Sequence, residues 1–166
     1  KKKVTTGLTK KNMNETIQHY LADFKQLQNI KKDDWFAKQR QSAFNIFQEA
    51  GFPSTRKENW KYTDVKPIAK NLFSNIANGN VVISDDEIDA ILFKELECIE
   101  LVFVNGTYSK KYSNIKNLPN ELTIKNMANA LVDDEDFLKK HLSQYVNDDS
   151  SSFTALNTAF IQDGIY

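Results

Sequence analysis

Glycine is scarce. The five glycines, Gly7, Gly51, Gly79, Gly106 and Gly164, lie far apart, which excludes the loops in which several small residues let backbone amides close on a phosphate. Histidine is scarcer: His19 and His141 each stand alone in a helical pattern. No zinc ligand set converges on either, no serine in a nucleophile turn completes a hydrolytic triad, and both read as solvated helix residues. The single cysteine, Cys98, excludes an intrachain disulfide and an iron–sulfur cluster held by this chain's thiolates alone. Beside Glu97 it reads as a small buried filler rather than a reactive thiol.

Long apolar runs are missing as well. None nears the roughly 20 residues of a membrane span or follows a basic start as a secretory signal would, so the expectation is a soluble protein of a reducing, cytoplasmic compartment. Without a secretory route the acceptor triplets Asn14-Glu15-Thr16 and Asn105-Gly106-Thr107 carry no meaning. Excess charge is also lacking: Lys and Arg total 22, Asp and Glu 22, so the summed field recruits neither nucleic acid nor an anionic membrane. The carboxylates from Asp133 to Asp136, and Asp148 with Asp149, lack the glycine and distal glutamate of a calcium loop.

What is present is apolar mass. Hydrophobic residues make up 40% of the 166 and aromatics 11%, enough for the core of one domain. KKKVTTGLTKK, residues 1–11, has no apolar pattern and reads as a flexible basic arm or a leftover of expression. Asn12 with Glu15 fits a helix cap, and Ile17, Tyr20, Leu21, Phe24 and Leu27 follow at helical spacing. A second helix opens at Asp33 or Asp34, carries Phe36, Ala43, Phe44, Phe47 and Ala50 on one side, and stops at Gly51. The two helices predict a hairpin over 12–51.

Beyond Pro53, Thr55 and Glu58 predict a capped turn carrying Trp60. Asn78-Gly79-Asn80 predicts a turn, Val81 to Ile83 a strand, and Ser84 with Glu87 a capping box opening a helix with Ile88, Ile91 and Leu92 on one face. Leu101 to Val104, Asn105-Gly106, then Tyr108 and Tyr112 predict a hairpin with a two-residue turn. Glu121 to Ile124 predicts another strand, followed by a short helix with Met127, Ala130 and Leu131. Asp134 opens a helix with Lys139, Lys140 and His141 in its last turn, and with Phe137, Leu138, Leu142, Tyr145 and Val146 inward. Asp148 to Ser152 reads as a polar loop. Phe153, Leu156 and Phe160 mark a last helix, ending near Gly164.

The densest segment is GFPSTRKENWKYTDV, Gly51 to Val65. Trp60 and Tyr62, flanked by Arg56, Lys57 and Lys61, suit a stacking platform for single-stranded nucleic acid. Equally, the two rings suit mortar between the helical hairpin and the β unit, with the charges in water. The neutral chain favours the second reading.

The same segment resembles the Gly-x-Pro-Thr-Arg-x-x-Glu-x-Trp-Lys-Tyr-Thr signature near the start of SufD, in the SufB/SufD family of Suf iron–sulfur cluster assembly proteins. Ser54 stands where threonine is usual, and the arginine comes one place later, at Arg56. LVFVNGTYS, Leu101 to Ser109, resembles that family's first strand and turn. FTALNTAFIQDGIY, Phe153 to Tyr166, resembles the segment leading into its central domain. The run Trp60-Lys61-Tyr62-Thr63 is more similar to SufD than to SufB.

The resemblance implies the N-terminal domain of a longer scaffold subunit, whose β-helix and contacts to SufB-like and SufC-like proteins follow Tyr166. The implied fold is α+β, an N-terminal helical hairpin followed by a small mixed α/β unit over 52–166 with a β-hairpin, lacking the family's β-helix core. No catalytic residue, cofactor or metal site carries over, and no enzyme is implied. Structural or interface candidates are Pro53, Arg56, Glu58, Trp60, Lys61 and Tyr62 in the first motif. Asn105 and Gly106 follow in the second, and Asn157, Asp163 and Gly164 in the third. Ile165 and Tyr166 are expected to lack sheet partners, and so to fray or to pair with a second copy. Two other classes stay open: a single-strand binding module using Trp60 and Tyr62, and an enzyme with an unrecognised carboxylate or tyrosine site.

Overall fold

The computed structural model describes residues 10–31, 34–73, 83–93, 95–116, 118–146 and 151–166, with side chains from Glu15 onward. Among them are seven α-helices, one 3-10 turn and one two-stranded antiparallel sheet, an α+β fold. Two compact units divide the chain: the described residues of Lys1–Asn75 with Ser143–Ile161, and those of Ile76–Leu142 with Gln162–Tyr166. The segment 52–166 is thus shared between both.

In the first unit, α1 (Lys10–Ile30) turns Tyr20, Phe24 and Leu27 inward at the spacing that predicted it. It starts two residues before Asn12, which lies inside the helix and not at its cap. α2 (Ala37–Ala50) opens later than Asp33 or Asp34 and has no side-chain cap; Asp34 braces the turn ahead of it, its Oδ1 accepting from the Phe36 N–H (2.7 Å) and its carbonyl from the Ala37 N–H (3.0 Å). Gly51 ends α2 at φ 59°, donating its N–H to the Phe47 carbonyl, a left-handed backbone that glycine adopts without strain. α7 (Ser152–Ala159) packs on α2 through Ala43, Ala155 and Ala159, all fully buried. Small side chains let two helix backbones approach closely, and the rings of Phe24, Phe44 and Phe47 fill the space beside them. Ser151 caps α7, which stops at Ala159 rather than near Gly164. α3 (Lys66–Lys70) adds Ala69, whose carbonyl accepts from the buried Thr16 hydroxyl at 3.1 Å.

In the second unit, β1 (Phe103–Val104) and β2 (Thr107–Tyr108) pair antiparallel across Asn105-Gly106. Both turn residues have positive φ, 48° and 80°, the backbone of a two-residue hairpin turn. The strands are shorter than the apolar run suggested. At Val102 the ladder is interrupted, since Ser113 Oγ accepts from the Val102 N–H (2.9 Å) and donates to the Ser109 carbonyl (2.7 Å), and backbone pairing resumes where Glu100 and Asn114 exchange both hydrogen bonds (2.9 and 2.8 Å). Tyr112, expected on the hairpin, sits in a turn and donates its hydroxyl to the Ile83 carbonyl. The expected turn at Asn78-Gly79-Asn80 and Val81 and Val82 lie outside the described residues, and Ile83 is in no strand.

Glu121 to Ile124 form no strand. Instead Lys125 exchanges both backbone hydrogen bonds with Tyr166 (3.0 and 2.9 Å), and the Met127 N–H donates to the Gly164 carbonyl (2.9 Å). The expectation of a terminal edge without partners is therefore corrected: Gly164 and Tyr166 are tied to the residues that open α5 (Met127–Asp133). α6 (Glu135–His141) buries Leu138, whereas Phe137 is exposed. Tyr145 and Val146, expected inward on the same helix, lie past its end and are exposed too. Seven residues hold barely two turns, so one buried position satisfies such a helix.

α4 (Asp85–Asp89) carries the capping box read from Ser84 and Glu87. The Ser84 N–H donates to the Glu87 carboxylate (2.9 Å), and the Glu87 N–H to Ser84 Oγ (3.3 Å). Ile88 is buried, but Ile91 falls beyond so short a helix and is exposed. Lys111 donates to Asp85 (2.6 Å), a bond that pushes the lysine up to about 12. Glu87 is held below its ordinary value by the Ser84 N–H, and Asp85 by Lys111. A carboxylate lowered on folding stabilises above the ordinary carboxylate range, and that contribution is lost as pH falls through the lowered values. The α4 amides are accordingly expected to lose hydrogen-exchange protection below about pH 4 while the α2 amides keep theirs. Unchanged α4 protection factors down to that pH would contradict the linkage.

Candidate functional site

The Gly51–Val65 segment belongs to the first unit. Pro53 is buried and directs the chain away from the end of α2. A single 3-10 turn, Glu58–Trp60, follows, with no side-chain cap: Thr55 and Glu58 do not form the expected box, and the turn rests on the Lys57 and Trp60 N–H groups donating to Ser54 and Lys57 carbonyls (both 2.9 Å). Trp60 is half-buried with its ring 5.5 Å from that of Phe153 on α7, and Phe153 in turn meets Phe52 at 5.6 Å. Mortar therefore describes Trp60, though its partner is a helix rather than a sheet.

Tyr62 behaves otherwise. It is 91% exposed, with the Lys61 ammonium 5.4 Å from its ring centre. Residues two apart in a turn do not share a face, so one inward ring sends the other outward. Lys61 also lies 4.0 Å from Glu58. Arg56, Lys57 and Glu58 are exposed.

Two clefts flank the segment. One, of about 200 Å³, lies between Pro53, Lys57, Trp60 and Ser152. A larger groove of about 610 Å³ runs between α1, residues 51–57 and α3. Asn157 faces a third cleft with Tyr20, Asp23 and Phe73. Burial, with the Asp23 carboxylate adding, pushes the Tyr20 phenol up, which leaves it a neutral donor. His19 is not merely solvated: its Nε2 donates to the Phe73 carbonyl at 2.8 Å. His141 stacks on Phe137 with ring centres 4.3 Å apart. Cys98 is exposed, against the expectation of burial, because residues 95–99 form neither helix nor strand.

In the second unit the other motif residues meet. Asp163 accepts from the Tyr108 N–H (3.0 Å) and from the Ala128 N–H (3.2 Å), so one carboxylate ties the hairpin to the first turn of α5. Asn105 and Gly106 make the turn of that hairpin, and Gly164 supplies its carbonyl to Met127. Among the described residues no group of three or more His, Cys, Asp or Glu side chains is arranged to hold a metal ion.

One residue escaped the sequence reading. Arg40 is 1% exposed on the apolar side of α2. Its Nε donates to the Ile161 carbonyl and its Nη2 to Asp34, both at 3.0 Å, and its guanidinium lies 5.2 Å from the Phe36 ring centre. The signal was its place four residues after Phe36 and four before Phe44.

The family model described as SufBD protein N-terminal region matches residues 11–166. The chain belongs to the SufBD family. A curated protein of Synechocystis sp. (strain ATCC 27184 / PCC 6803 / Kazusa), named an iron-sulfur cluster assembly SufBD family protein, is 27% identical over 132 residues, 80% of this chain. The SufBD chain spans 28% of that relative's length. No solved structure matches. Among the described residues of this SufBD region no helix is long and apolar enough to cross a membrane.

Proposed function

We propose that this chain is the N-terminal region of a SufD-like subunit that serves iron–sulfur cluster assembly by structure and contact, without catalysis or a cofactor of its own. The observation that carries the reading is the family match over 11–166 together with the Trp60-Lys61-Tyr62-Thr63 run. The uses of the motif residues support it. Pro53 and Trp60 pack against the helical unit, and Asp163 holds two backbone amides. These are the tasks of a rigid scaffold, which a site can borrow from a neighbouring subunit. The partners of the full-length polypeptide are SufB-like and SufC-like proteins, and the cluster is the product that this assembly builds.

The test is co-expression of the full-length polypeptide carrying this region with SufB-like and SufC-like proteins. Co-elution with both in size-exclusion chromatography is expected. A folded polypeptide that elutes alone overturns the reading. Tyr62 favours a second reading, since a bare ring under an ammonium suits base stacking. Oligonucleotide binding that weakens steeply with salt would support it.

A further inference from the structure

The larger groove beside Gly51–Val65 has a defined chemistry. Its floor is apolar, built by Ile17, Phe52, Val65 and Ala69, and its 610 Å³ falls in the range that seats a few side chains. The buried Thr16 to Ala69 hydrogen bond fixes the spacing of its α1 and α3 walls, so the trough is preformed. Its rim is cationic. Lys66 is held by Asp64 at 3.3 Å, and Glu58, the nearest carboxylate in sequence, lies by Lys61. Arg56 and Lys57 are exposed and make no ion pair with another described residue. Groove and rim belong to one unit.

We infer that this groove docks an acidic peptide segment of a protein partner, with apolar side chains on the floor and carboxylates against Arg56 and Lys57. The fork of a guanidinium takes a carboxylate through two parallel hydrogen bonds, and the lysine adds a point charge. A nucleic acid is the poorer occupant, because the only aromatic ring among the described lining residues, Phe52, is already packed against Tyr20, Phe47 and Phe153. No stacking face is left for a base there. The inference rests on this unit's own residues and not on the SufD-like reading, so each can fail without the other.

The probe is a short fluorescent peptide alternating glutamate and leucine, titrated into the chain and followed by anisotropy. Its glutamine twin and an oligothymidylate are run in parallel. Saturable binding is expected, weakened about tenfold or more in the Arg56→Glu, Lys57→Glu double variant and with the glutamine twin. Methyl signals of Ile17 and Val65 are expected to move on binding. Both substituted side chains are exposed, and circular dichroism confirms that the variant keeps its helices. No saturable binding, equal affinity for the glutamine twin, an unaffected double variant, or tighter binding of the oligothymidylate would each overturn the inference.

Discussion

Replacing Arg40 with alanine is expected to destabilise the chain by about 3–5 kcal/mol, read as a lower urea midpoint at unchanged slope. The substitution leaves the half-buried Asp34 carboxylate without its cation and the Ile161 carbonyl without its donor. Asp34 also accepts from the Phe36 N–H, so its uncompensated charge sits in the turn just ahead of α2. The pair itself contributes less than its loss costs, because desolvating two charges offsets much of their attraction. Nη1 of Arg40 is buried and has no hydrogen-bond partner among the described residues, which adds to that offset. The double variant Asp34→Asn, Arg40→Met keeps an acceptor for the Phe36 N–H and removes both charges, and is expected to recover most of the loss. An Arg40→Ala midpoint within about 0.5 kcal/mol of the parent would mean that the burial is not maintained in solution.

Truncating Phe44 to alanine is expected to cost a similar amount, about 3–5 kcal/mol. The Phe44 ring is fully buried, stacked on Phe24 with centroids 4.3 Å apart and planes 2° from parallel, and meets Phe47 and Phe160 at 6.2 and 6.3 Å. Three rings lose a neighbour at once, and close-packed helix backbones do not collapse into the space. Val132→Ala, at a 76% exposed side chain of the second unit, is the control and is expected to change stability by no more than about 0.5 kcal/mol. Equal effects of the two substitutions in urea unfolding would place the core elsewhere.

The helical pair, the Ser84–Glu87 box, the Gly51 stop and the Asn105-Gly106 turn were legible because each is a local rule. A spacing of three and four residues, a side chain bonding an amide three places on, or a positive φ is written within a few neighbours. The errors share a different origin. Trp60 and Tyr62 read together as rings between the helical hairpin and the β unit, and only Trp60 packs inward, against Phe153, while Tyr62 stands in solvent. Cys98 reads as a buried filler from its residue type and its place beside Glu97, yet its own stretch forms no element that could carry it inward. Of the candidate site, the motif residues were found by resemblance, but the groove was not. Its walls come from residues 16 to 17, 50 to 57 and 65 to 69, and no single window of sequence displays it.

By itself the sequence determined an α+β chain with two amphipathic helices, one tight hairpin and family membership over nearly its whole length. Tertiary structure decided which charged group is interior, which aromatic ring is bare and what the last residues pair with. The physical reason is distance along the chain. The Nε of Arg40 is satisfied by a carbonyl 121 positions away, the Tyr108 N–H by a carboxylate 55 positions away, and the Thr16 hydroxyl by a carbonyl 53 positions away. Such partners exist only once packing has brought the segments together, whereas a cap or a turn needs nothing beyond its neighbours.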